Sequence, residues 1–126
     1  MTGVRERIGF AGGASWGAYS QPEMTRWAKR PDLSPRAVRV LLAAMGRHDR
    51  NGHAAFAPSE LAEWLGAVDK RTGELRPAAA PAVSDAIAAA KHLGLIADAS
   101  TVRCLVLPSQ AFQKARGACA PCTVHG

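Results

Sequence analysis

The residues able to do chemistry fall in three places along this chain. Lys70, Arg71, Thr72 and Arg76 crowd a polar stretch, AVDKRTGELRP, between residues 67 and 77. Ser84, Asp85 and Lys91 recur on the outward side of the alanine-rich segment that follows, and Arg103 stands beside a turn further on. Cations and hydroxyls of this kind suit phosphate oxygens. A serine also reaches a base edge, an aspartate accepts from the cytosine amino group, and alanine methyls meet thymine methyls. For reading bases the vocabulary is thin, because none of the outward positions Ala82, Ser84, Asp85, Ala88, Ala89, Lys91 and His92 is an arginine, asparagine or glutamine. The third place is the C-terminal Cys119-x-x-Cys122-x-x-His125. A structural zinc site wants four ligands in two spaced pairs. Cys104 completes one only if the tail folds back onto its strand, so the motif taken alone reads as free, reduced thiols with no metal or other cofactor.

Catalysis finds no comparable grouping. The glycines from Gly9 to Gly13 lack the lysine and hydroxyl of a phosphate-binding loop. Carboxylates do not pair, and His48, His53 and His92 are scattered with no glutamate spaced for metal hydrolysis. The expectation is therefore a protein that is not an enzyme. Sixteen lysines and arginines against ten acidic residues give a net charge of +6, which favours a polyanionic partner. With only seven aromatic residues, Trp16, Trp27 and Trp64 read as packing residues rather than base-stacking platforms. No run approaches the roughly 20 apolar residues of a membrane span. MTGVRERIGF interleaves charges with its apolar residues and has no leader-like apolar core. Three cysteines do not make a disulfide framework. A cytoplasmic, nucleoid-associated location is expected.

The elements that must position these groups are legible from turn and cap signals. Residues 1–31 form a glycine-rich arm with one short helical turn around Pro22 to Trp27, closed by Arg30-Pro31. A first confident helix starts at the Ser34 N-cap with Pro35 at its first position. Ala37, Val38, Leu41, Leu42 and Met45 make its inward stripe, and Arg36, Arg39, Arg47 and Arg50 make its charged outer face. A second opens at Pro58-Ser59-Glu60, buries Leu61, Ala62 and Leu65, and stops at Gly66. The 67–77 stretch is a polar loop. A third helix covers about Ala80 to Leu93, with Val83, Ile87, Ala90 and Leu93 inward. Leu95-Ile96 then starts a strand, Ala97 to Ser100 turns, and Val102 to Leu107 returns.

This order predicts an α+β, mainly helical chain: a winged helix-turn-helix with a small β-hairpin wing over residues 32–108, and a flexible basic tail over 109–126. LSPRAVRVLLAAM, NGHAAFAPSELAEWLG and VSDAIAAAKHLGLI together resemble the winged-helix domains of bacterial replication initiators and of plasmid or phage regulators. The resemblance spans about residues 18 to 108 and bears mainly on fold. It implies a duplex-DNA-binding regulator or replication protein. The third helix would then lie in the major groove, with the Lys70–Arg76 loop on phosphates and Arg103 at the wing. One chain or a homodimer would bind, with no membrane involved. The alternative is a winged-helix protein–protein module packing a partner against the Ala82–Ala89 face.

Overall fold

A computed structural model describes residues 10–113 and Val124. After a short 3₁₀ turn at Ala11–Gly13, helix α1 spans Gln21–Ala28, α2 Pro35–Arg47, strand β1 His53–Ala55, and α3 Glu60–Trp64. Strands β2 (Ala67–Val68) and β3 (Leu75–Arg76) come next, then helix α4 (Ala80–His92) and strand β4 (Cys104–Val106). Two separate antiparallel pairs form, β1 with β4 and β2 with β3. The fold is α+β, with four helices packed around a small two-stranded sheet.

Local chemistry explains most starts and stops. Ser20 Oγ accepts from the Glu23 amide and Ser34 Oγ from the Ala37 amide, each at 3.2 Å, so both helices open on a serine cap with proline just inside. Helix α3 starts differently. Ser59 takes a left-handed backbone (φ 67°) and makes no side-chain cap. Instead the Glu60 carboxylate reaches back to accept the Ala57 amide at 3.0 Å.

The core lies between α2, α4 and the β1–β4 sheet. Helix α2 buries Ala37, Val40, Leu41 and Ala44, at i, i+3, i+4 and i+7. Helix α4 meets it with Val83, Ala86, Ile87 and Ala90. The predicted inward stripe of α2 was rotated by about one residue: Val40 is buried, whereas Leu42 is 57% exposed. The buried stripe is built on alanines, which let two helix backbones approach closely, and a large residue beside such a stripe is left outside. Leu61, Leu65, Trp27, Leu95, Ile96 and Leu105 complete the centre.

Three expectations change in the structure. Leu95-Ile96 is not a strand. Gly94 (φ 76°) ends α4 with its own amide on Lys91 O (3.0 Å) and the Leu95 amide on Ala90 O (2.9 Å), a Schellman closure that withdraws Leu95 from any sheet ladder. Both side chains are buried where a half-buried strand would alternate. The real partner of β4 is β1, with His53 opposite Val106 and Ala55 opposite Cys104. The expected turn at Ala97–Ser100 forms, with the Ser100 amide on Ala97 O at 3.0 Å, and a second reversal follows at Val102-Arg103, between paired Thr101 and Cys104. Ser100, buried, stands in for a rung by accepting the Val106 amide on its hydroxyl at 2.8 Å.

Second, the 67–77 loop is a hairpin. The Asp69 amide bonds Glu74 O (2.7 Å) and the Gly73 amide bonds Asp69 O (2.8 Å) across its turn, with Gly73 at φ 73°. Third, the segment drawn as a tail from Ser109 stays in the body as far as Gln113. Ala111 and Phe112 are buried, Tyr19 bridges Phe112, and the amides of Ser20 and Gln113 reach Ala111 O and Ala18 O. The chain before α1 and the chain after β4 are clasped together.

Candidate nucleic-acid interface

The hairpin places its cations unevenly. Lys70 and Arg71 occupy its exposed tip, where Asp69 Oδ1 accepts the Arg71 amide at 2.8 Å and shapes the turn. The Thr72 hydroxyl is spent on the Glu74 amide at 3.2 Å, a turn-forming contact. Arg76 pairs with Asp69 across the strands, Nε to Oδ2 3.1 Å. Three cations therefore share the hairpin with Asp69 and Glu74. The hairpin is held close by Gly66: a Cβ there would collide with the Arg76 carbonyl oxygen, a backbone atom that cannot swing away.

The chain from the hairpin runs straight into α4, tied to α3 by the Ala78 amide on Ala62 O at 2.9 Å. Ser84 and Asp85 are exposed on α4, along with Ala80, Pro81, Ala88 and His92, while Lys91 is half-buried. The first turn of α4 has no side-chain cap, so its amide end faces outward unsatisfied by serine or aspartate. The expected polar edge thus exists as a surface, and it adjoins the hairpin in sequence.

Arg103 is tied down more than a wing arginine need be. Its Nε donates to Phe56 O at 2.7 Å, and its own carbonyl accepts the Phe56 amide at 2.8 Å, clasping the Val102-Arg103 turn to the chain after β1. Two arginines of α2, exposed Arg39 and half-buried Arg47, are likewise bonded to other parts of the chain. Arg39 donates to the carbonyls of Trp64, Leu65 and Gly66, at 2.8, 3.3 and 3.0 Å, and so closes the C-terminal end of α3. Arg47 grips Glu60 through two parallel bonds of 2.9 Å and lies over the rings of Phe56 and Trp64, 4.9 and 4.6 Å from their centres. The Arg47 guanidinium and the Ala57 amide hold the Glu60 carboxyl down at about 2. Sequence reading assigned Arg39 and Arg47 to an ordinary outer face.

Cys119, Cys122 and His125 lie outside the described residues. Among the described residues no group of three or more His, Cys, Asp or Glu side chains gathers as a metal cage. No helix among them is long and apolar enough to cross a membrane. Comparison of the chain with protein-family models, with curated proteins and with solved structures finds no match.

Proposed function

We propose that this chain is a winged-helix duplex-DNA-binding protein, in which α4 is the element offered to the major groove. The observation that carries the reading is the element order α2–β1–α3–α4–β4 with β1 paired to β4, combined with a polar edge of α4 left at the surface. In that arrangement Lys70 and Arg71 hold phosphates beside the start of α4, and the uncapped first turn of α4 adds the positive end of its dipole. Ser84 and Asp85, one turn further in, read base edges. Arg76, already paired with Asp69, contributes less than Arg71.

Fluorescence anisotropy on random and selected duplexes across a salt series tests the proposal. About four to six phosphate contacts per chain predict a fall of log K with log salt at a slope near −4 to −5. Arg71→Ala should weaken binding to every duplex alike and make the slope shallower by about one unit. Asp85→Ala should instead change which sequences are preferred. Absence of duplex binding at low salt overturns the proposal.

A second reading has its own support. Val68 and Leu75 face each other across the β2–β3 hairpin and are 61% and 65% exposed. A protein–protein module would use these apolar side chains, and Val68→Ser with Leu75→Ser would then abolish partner binding while leaving duplex binding intact.

A further inference from the structure

Asp85 is the one carboxylate of α4, and the fold makes no use of it. It lies on the exposed stripe of the helix with Pro81, Ser84, Ala88 and His92. Because α4 begins at Ala80, Asp85 stands beyond the first turn, whose free amides a cap would serve. Its neighbours three and four positions away are Pro81, Ala82, Ala88 and Ala89, none of them charged. Among the described residues no hydrogen bond or ion pair engages its carboxylate. Glu23, Asp32, Glu60 and Asp69, by contrast, each hold an arginine.

An ionised carboxylate can only accept hydrogen bonds. In a groove walled by phosphates it is repelled by like charge, and without a donor opposite it also loses its hydration uncompensated. Base edges differ sharply in what they offer. Guanine turns the acceptors N7 and O6 to the major groove, and thymine turns O4 and a methyl group. Both repel Asp85. Adenine presents its N6 amino group with the acceptor N7 beside it, whereas cytosine presents the N4 amino group with no acceptor of its own alongside. The exposed stripe holds no arginine, lysine, asparagine or glutamine, and Lys91 is half-buried. No side chain on that stripe is therefore suited to the two-bond contacts that select guanine or adenine.

We infer, resting on the reading that α4 enters the major groove, that Asp85 selects cytosine by accepting from its N4 amino group and rejects guanine and thymine by repulsion. The preferred substrate is duplex DNA with a C·G pair facing Asp85. Specificity at that position is largely negative: Lys70 and Arg71 attract any duplex, and Asp85 penalises the wrong ones.

The test selects duplexes from a random library with the full chain and with Asp85→Asn. Fluorescence anisotropy then compares duplexes in which single base pairs are varied. The parent chain should select C·G at one position and bind the other three pairs there roughly 5- to 150-fold more weakly. Asp85→Asn should lose that cytosine preference and favour adenine at the same position, because an amide both donates to N7 and accepts from N6. N4-methylcytosine keeps the proton that pairs with guanine and carries a methyl where the groove-facing proton was, so it should weaken the parent as a mismatch does. Asp85 is exposed, so the variant should fold as the parent does, and circular dichroism checks this. Duplex binding in which Asp85→Asn leaves every base preference unchanged overturns the inference while the DNA reading stands. So does a parent preference for any base other than cytosine at the position that the variant alters. Failure of the parent to bind any duplex at low salt overturns the DNA reading itself, and this inference with it.

Discussion

At the scale of single residues, Glu60 does three things with one carboxylate. It takes both arms of Arg47, accepts the Ala57 amide that would otherwise go unpaired at the start of α3, and anchors Arg47 beneath Phe56 and Trp64. These partners favour the ionised form, which is why the carboxyl titrates at about 2 instead of 4.5. A carboxylate depressed by folding stabilises the folded chain above its unfolded value and loses that contribution as pH falls through its folded value. The contribution of Glu60 is thus complete above about pH 4.5 and fades towards about pH 2. Glu60→Gln should lower Tm at neutral pH, and its deficit relative to the parent should shrink to nothing as melts are repeated down to pH 2. A deficit that stays constant across the series would mean the loss is one of packing rather than charge. Arg47→Lys should show a similar neutral-pH deficit, since an ammonium can neither fork onto Glu60 nor lie flat on the rings.

At the scale of elements, the β2–β3 hairpin departs most from a short turn between two helices. Its base lies close against the end of α3, where a Cβ at Gly66 would meet the Arg76 carbonyl oxygen. Gly66→Ala should therefore push β3 away from the end of α3 and destabilise the chain by about 1–3 kcal/mol, the usual range for overpacking against atoms that cannot relax. Urea denaturation measures the loss, and the amide exchange of Ala67 and Asp69 reports whether the hairpin has opened. Unchanged stability would show that α3 and the hairpin shift together without strain. The hairpin also decides how the basic stretch is displayed. A loose loop would scatter Lys70, Arg71 and Arg76, whereas the paired strands hold Arg76 against Asp69 and lift Lys70 and Arg71 to the tip.

At the scale of the whole molecule, the two chain segments outside the helical core close on each other. Phe112 packs edge-on to His48, with ring centres 4.6 Å apart, and leans on Tyr19. The Tyr19 hydroxyl is 2.7 Å from His48 Nε2 at the end of α2, and burial raises its pKa. Phe112→Ala should cost about 3 kcal/mol, as deletion of a buried aromatic does. Loss of the clasp should show first as faster amide exchange at Ser20 and Gln113, and a cost below about 1 kcal/mol would remove Phe112 from the core. The sequence by itself determined the helices and their caps, because Ser34-Pro35 and Gly94 act through neighbours a few residues away. It also set the burial of Leu61, Leu65, Val83, Ile87 and Ala90, which follows from spacing alone. Tertiary structure decided everything that depends on distant segments meeting. Strand β4 chose β1 over Leu95-Ile96 because the helix closure at Gly94 had already used the Leu95 amide. Ser109 to Gln113 joined the body because Phe112 found a glycine-sized hollow at Gly52. His53 met Cys104, 51 residues away, only through the register of a three-residue strand pair. No local pattern encodes such a meeting, since the free energy that enforces it comes from the burial of Ala54 and Leu105 on the opposite face.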